Sequence, residues 1–278
     1  MARLRDIHSF WIGPELPPLA QMCLASFVAA GHRVVLHAYE PLTGPAGVEV
    51  VDAADVLPAD AVFQHERSGG LSMFADLFRY RMLQKHDGVI WVDTDVYCLR
   101  PFDFEPDYVF GVERTRFRDD SISNAILAAP AGSELLKRLV GLFETPVRAA
   151  RYERLPQQRL RFYALWALGI RFPISRMSRH VAGPPALTHL VDRLELRRHA
   201  LPLPAFFEDQ GPRLFQPGTA SLLEDPDRYA VHFCAATVPD GLTPAADSAF
   251  QACAQRAGLG GQAISDRPRS PARRQSHR

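Results

Sequence analysis

Asp93 and Asp95 stand one residue apart at the end of the apolar run Val89-Ile90-Trp91-Val92. In a strand, residues i and i+2 point to one face, roughly 6.5 Å apart at about 3.3 Å of rise per residue. Two carboxylates so placed at the mouth of a sheet suit a divalent cation carrying a diphosphate, because hard cations take oxygen ligands. The plain alternative is an Asp-rich turn that merely ends the strand. A second charged pair, Asp76 and Arg79, is spaced to share one face of a helix. On a surface such a pair contributes under ~1 kcal/mol. Here Phe74, Leu77, Phe78 and Tyr80 bracket it. That places the pair near the core or along a cleft, where charges need a partner or a task.

The elements that must position these groups alternate in type. Ile7–Ile12 reads as a first strand ended by Gly13-Pro14, and residues 17–30 as a helix stopped by Gly31. Residues 34–39 and 48–51 read as strands. This alternation predicts a doubly wound α/β unit with a largely parallel sheet. A strong helix is expected over 72–86, with Ser72 as a candidate cap and Gly88 as its end. The Val89 strand follows, apolar throughout, as expected of a strand covered on both faces. Further strands are expected over 108–112, 124–129 and 229–234, and helices over 132–144, 152–168 and 185–195. The stretch 152–168 is rich in Arg, and Asp119-Asp120 reads as part of a polar loop. From about Asp266 the chain is Arg, Pro and Ser with almost no apolar residue, which predicts a disordered basic tail.

The 278 residues and 47% hydrophobic content can fill a sizeable core. The expectation is one domain over 1–265, with a donor half to about 130 and an acceptor or helical half to 265, then the tail 266–278. A formal net charge of +1 implies no general affinity for nucleic acid. Cys23, Cys98, Cys234 and Cys253 form no Cys-x-x-Cys pair, so a zinc site is not expected, and they read as reduced thiols. The first residues show no secretory segment, and no apolar run nears the ~18 residues of a membrane span. A cytoplasmic protein of a GC-rich bacterium is the expectation.

The segment Phe74-Ala75-Asp76-Leu77-Phe78-Arg79-Tyr80-Arg81-Met82-Leu83, then Gly88-Val89-Ile90-Trp91-Val92-Asp93-Thr94-Asp95-Val96 and Leu99-Arg100-Pro101, resembles the sugar-binding region of DXD-motif glycosyltransferases. The nearest pattern is glycosyltransferase family 32, with the α-1,4-galactosyltransferases and yeast initiating mannosyltransferases; the glucosylating clostridial toxins share its core. Shorter stretches are also similar to the family: His8-Ser9-Phe10-Trp11-Ile12-Gly13, Ser123-Asn124-Ala125-Ile126, Gly183-Pro184-Pro185-Ala186-Leu187-Thr188 and Val231-His232-Phe233. Two departures stand out. Asp87-Gly88 replaces the usual Gly-Gly, and Cys234-Ala235-Ala236-Thr237-Val238 replaces the aromatics and Ser-Trp that follow the late His.

The resemblance implies a GT-A, Rossmann-like nucleotide-sugar-binding fold with a mostly parallel central sheet and added C-terminal helices. It implies retaining transfer of a hexose from a nucleotide sugar, with a UDP-sugar favoured over a GDP-sugar, and Mn²⁺ or Mg²⁺ as cofactor. Asp95 would be the direct metal ligand, Asp93 would hold ribose or metal, and His232 is a further candidate ligand. Asp76 would bind donor hydroxyls and Arg79 the sugar or diphosphate, with Asn124 lining the pocket and Thr94 on the donor side. His8 and Trp11 would face the nucleotide base, and Gly183, Pro184 and Thr188 the acceptor. The acceptor would be a cell-surface glycan, a lipid-linked sugar or a small molecule. The basic tail is a candidate for peripheral contact with an anionic membrane.

Two rival readings keep the same aspartates. An aspartyl phosphohydrolase would use Asp93 as nucleophile with magnesium. Such enzymes also need a downstream lysine, and Lys137 is the only one. A catalytically silent sugar-nucleotide-binding protein would keep the fold and lose turnover.

Overall fold

The computed structural model describes residues 4–115, 118–239 and 241–258. In chain order its strands are β1 (Ile7–Trp11), β2 (Val34–Ala38), β3 (Val48–Asp52), β4 (Ile90–Val92), β5 (Val96–Cys98), β6 (Phe110–Thr115), β7 (Arg118–Ile122), β8 (Ile126–Leu127), β9 (Ala200–Leu201) and β10 (Ala230–His232). Its α-helices are α1 (Pro18–Ala29), α2 (Ser72–Lys85), α3 (Glu134–Glu144), α4 (Pro156–Ala167), α5 (Pro184–Arg193), α6 (Leu203–Phe206) and α7 (Ala249–Arg256). The chain is thus mixed α/β with a mostly parallel central sheet. It divides into two compact units, one from residues 1–52, 92–103 and 202–278, the other from 53–91 and 104–201. The tail expected from residue 266 lies outside the described residues.

In the first unit β1, β2 and β3 run parallel, with Ile7 opposite Val34 and Val34 opposite Val48. Parallel neighbours need a crossover, and α1 supplies it between β1 and β2. Pro17 and Pro18 pre-set the start of α1. Its end is a Schellman turn: Gly31 at φ +90° donates to Val28 O, and His32 N donates to Phe27 O. All five residues of β2 are buried, as a continuous apolar strand demands. Away from this sheet, β5 and β10 pair antiparallel. Tyr97, Phe215, Val231, Phe233 and Phe250 form the apolar cluster behind that pair. Helix α7, which the periodicity did not announce, supplies Phe250, stacked on Phe215 at 4.9 Å between ring centroids.

In the second unit α2 is buried on nearly every side, including Asp76 and Arg79. A helix so covered has no clean amphipathic stripe. Strand β6 pairs antiparallel with β7 and parallel with β9. The Ser133 hydroxyl caps α3 by accepting from Leu136 N, and Leu135, Leu136 and Leu139 fill its buried face.

Several local expectations are corrected. The β4 strand stops at Val92, and Asp93-Thr94-Asp95 is a turn closed by Val96 N donating to Asp93 O at 3.1 Å. Aspartates so placed favour the turn over a continued strand. Ser72 is the first helical residue, not the cap; Leu71 holds that position. The strand expected over 124–129 shrinks to β8, and Asn124 lies before it. The helix expected over 152–168 is two pieces, a 3₁₀ stretch Pro146–Tyr152 and α4, because Pro156 has no N–H to continue a ladder. Asp119 and Asp120 sit in β7, where their exposed side chains hide the strand from a hydrophobic pattern.

Candidate functional site

Strand pairing assembles the first cluster. In the β5–β10 ladder Val96 lies opposite His232, so the residue before Val96 is brought beside that histidine. Asp95 O accepts from Phe233 N at 2.9 Å, and Asp95 Oδ2 from Ala235 N at 2.8 Å. Asp95 Oδ1 lies 3.2 Å from His232 Nε2. Asp93, Asp95 and His232 each offer a ligand atom, all within 4.8 Å of one another. The turn thus brings both carboxylates within reach of the one imidazole.

The electrostatics favour charge at both partners. Burial tends to raise the Asp95 pKa, but the His232 charge, the hydrogen bond to it and the Ala235 N–H outweigh burial and hold it below the ordinary value. Burial tends to lower the His232 pKa, but Cys234, Asp95 and their hydrogen bonds raise it well above its ordinary 6.5. Two carboxylate oxygens and one imidazole nitrogen make a donor set that fits a divalent cation, Mn²⁺ better than the oxygen-preferring Mg²⁺.

A support lies behind His232. Cys234 Sγ is 3.3 Å from His232 Nδ1 and 3.3 Å from Gln210 Oε1. A partner on one ring nitrogen fixes which way the other faces. Cys234 adopts φ +46°, rare for a side chain with a Cβ. Thr237 N and Oγ1 hold that turn by donating to Cys234 O at 2.7 and 2.8 Å. Gly211 packs against it so closely that an added Cβ would lie 2.9 Å from Thr237 Oγ1. Sequence reading missed Gln210 and saw Cys234 only as a family departure. The signal was a Cys two residues after a strand His, legible only with the turn in hand.

The second cluster lies in the other unit. Asn124 Nδ2 donates to Asp76 Oδ1 at 2.8 Å, and Arg79 Nη2 lies 3.6 Å from that oxygen. Arg79 also donates to Asn124 O, and its guanidinium lies over the Trp91 ring at 5.0 Å. The Tyr80 hydroxyl donates to Ala182 O at 2.9 Å, which ties α2 to the segment leading into α5. Gly183 stands there in tight quarters, since an added Cβ would lie 3.0 Å from Asp76 Oδ2.

The remaining expected residues make contacts of their own. His8 Nδ1 and His37 Nε2 are 2.9 Å apart, buried across β1 and β2. Trp11 Nε1 donates to Glu15 O at 2.9 Å. Thr94 is half-buried in the aspartate turn. Pro184 opens α5. Thr188 is buried, its hydroxyl donating to Pro184 O at 2.7 Å and accepting from Ile122 N at 2.8 Å.

No family model matches the chain, and no curated protein matches it. Among solved structures it is similar to the PaToxG glycosyltransferase, at 13% identity and a TM-score of 0.44 over 69% of each chain. It is also similar to the UDP-bound glycosyltransferase domain of the YGT toxin, at 11% identity and a TM-score of 0.45, covering 72% of this chain and 78% of that one. A third likeness is to the bifunctional glycosyltransferase WbbM, at 10% identity and a TM-score of 0.36, covering 84% of this chain and 46% of that one. Likenesses this distant leave the function to be argued from the chain's own residues.

Proposed function

We propose that this chain is a glycosyltransferase of the DXD, GT-A type. It moves a hexose with retention from a nucleotide-diphosphate sugar, a UDP-sugar before a GDP-sugar, to a glycan, lipid-linked or small-molecule acceptor. The observation that carries the reading is the convergence of Asp93, Asp95 and His232 within 4.8 Å, just where the sequence resembles the sugar-binding region of that family. A divalent cation bound there would neutralise the diphosphate as a leaving group, acting as a Lewis acid.

The chain's own groups divide the remaining work. Asp93, Asp95 and His232 hold the cation. His232 sheds its proton to do so, and the Asp95 carboxylate stays ionised because its pKa is held low. Asp76 Oδ2 lies where a Cβ on Gly183 would come within 3.0 Å; this reading gives the Asp76 carboxylate a donor hydroxyl. Arg79 and Asn124 fix the Asp76 carboxylate in place. Such fixed charges stabilise a transition state without reorganising during the reaction.

Thermal unfolding against a panel of UDP- and GDP-sugars, with Mn²⁺ and with EDTA, tests the reading. A ligand bound only by the native state, at a hundredfold excess over Kd, adds about 2.7 kcal/mol. A metal-dependent upshift with one nucleotide series is expected. A flat panel on folded protein contradicts the reading.

A further inference from the structure

The arginine-rich stretch after α3 has no part in the proposed chemistry, yet its surface is unlike that of the other described residues. Leu155, Leu160, Tyr163, Leu168 and Ile170 are the exposed large hydrophobic residues among those described, and all fall within or beside α4. Leu168 is 76% exposed and Leu160 69%. Along the helix only Phe162 is buried. Leu160, Tyr163, Ala164, Ala167 and Leu168 follow the i, i+3, i+4, i+7, i+8 rhythm of one helical face. Here that face is turned to solvent rather than to a core.

The charge along this stretch of sequence is of one sign. Between Arg154 and Val191 the sequence holds no Asp or Glu, while Arg154, Arg159, Arg161, Arg171, Arg176 and Arg179 all lie there. Of these, Arg176 is paired with Glu66. Arg159 and Arg161 flank Leu160 on the helix, one on each side of the apolar stripe. The Arg171 guanidinium lies 3.9 Å over the Trp166 ring. The nearest preceding acid, Glu153, is buried and accepts from Ser178 N at 2.7 Å and from the Ser178 hydroxyl. That contact, with Phe162 against Phe172 at 4.9 Å, holds the segment to its unit while the stripe stays bare.

We propose that α4 and its flanking residues form a docking surface for an anionic phospholipid bilayer. An exposed apolar stripe bordered by arginines is the pattern of a helix that lies in a membrane interface. Its leucines and Tyr163 enter the acyl boundary. The arginine stems follow them while the guanidinium heads meet phosphate. Charge complementarity selects the bilayer over a second copy of this chain, whose α4 face would bring arginine against arginine. Its residues are neither those of the basic tail nor those of the cation cluster, so the proposal does not depend on the transferase reading.

The test is sedimentation of the full chain with vesicles of phosphatidylcholine alone and of phosphatidylcholine mixed with phosphatidylglycerol. Binding is expected to the anionic vesicles and to fall with salt. Replacing both leucines, Leu160→Asp with Leu168→Asp, should cut it at least about tenfold while the unfolding temperature holds, because both side chains are solvated in the folded state. Arg159→Gln with Arg161→Gln should weaken binding to anionic vesicles and remove much of its salt dependence. Removal of residues 266–278 should leave binding in place. Full binding by the leucine variant, or loss of binding on removing the tail alone, overturns the proposal. So does a chain that ignores anionic vesicles but self-associates through Leu160 and Leu168.

Discussion

The two polar clusters are built on opposite plans. In the aspartate–histidine cluster the carboxylates are brought to one imidazole by a turn and a long-range ladder, and the side chains of Asp95 and His232 keep 21% and 12% of their exposure. In the Asp76–Arg79 cluster the charges lie within one helix turn, keep 10% and 6%, and neutralise each other. The first carries more acid than base, the balance that a cation site needs. The second is a network of internal contacts that holds the Asp76 carboxylate rigid. A buried ion pair adds little net stability, yet removing one partner is costly, because the other is left charged in the interior. The first cluster should therefore fail in binding when altered, and the second in folding.

Arg79→Ala should give the largest effect of this kind. It strands Asp76 and should cost about 3–5 kcal/mol in urea unfolding, with Mn²⁺ affinity unchanged in whatever fraction stays folded. A variant as stable as the wild type would show that the second cluster is not held by these internal contacts. Gly183→Ala pushes a methyl toward Asp76 Oδ2 and should cost about 1–3 kcal/mol by overpacking. Loss of the nucleotide-sugar shift beyond that of nucleoside diphosphate alone would tie the position to sugar recognition. Cys234→Ala should leave stability nearly intact and weaken Mn²⁺ by about tenfold, because the support of the His232 ring is gone; Cys234→Ser should restore part of it.

The smallest effect is graded with pH. Because the His232 pKa is raised, the ring keeps its proton above 6.5, and a cation must displace it. Mn²⁺ affinity should climb with pH by up to about tenfold per unit and level off past the raised value. Without metal the pair stabilises the fold instead. The His232 share is full below 6.5 and is lost as pH rises through its raised pKa. The Asp95 share is full above 3.8 and is lost as pH falls through its lowered pKa. His232→Ala should flatten the metal profile, and a profile unchanged in that variant would remove His232 from the ligand set.

Residues close in sequence made much of this legible. The alternation of β1, α1, β2 and β3, the length of α2 and the pairing of Asp76 with Arg79 are local patterns, and the structure bears out these elements within a residue or two. What stayed hidden depends on distant partners. The paired aspartates looked like a strand because Val89–Val92 sets that rhythm, whereas the backbone turns back on itself after Val92. Helix α7 has little pattern until Phe250 finds Phe215. Gln210 and Cys234 gain meaning only from the bridge that sets Gln210 beside His232. The arginine-rich stretch was visible as composition, but its solvent-facing stripe required the break before Pro156.

The central claim is that Asp93, Asp95 and His232 hold a divalent cation that brings in a nucleoside diphosphate. Titration of Mn²⁺ followed by the paramagnetic resonance of the free ion, with and without UDP, tests it most directly on the wild type and Asp95→Asn. The account predicts one Mn²⁺ site in the wild type, tightened by UDP, and a loss of at least about a hundredfold in the variant, whose circular dichroism stays native. Equal Mn²⁺ binding by the two proteins, or a wild type that binds no Mn²⁺ even with UDP, would contradict it.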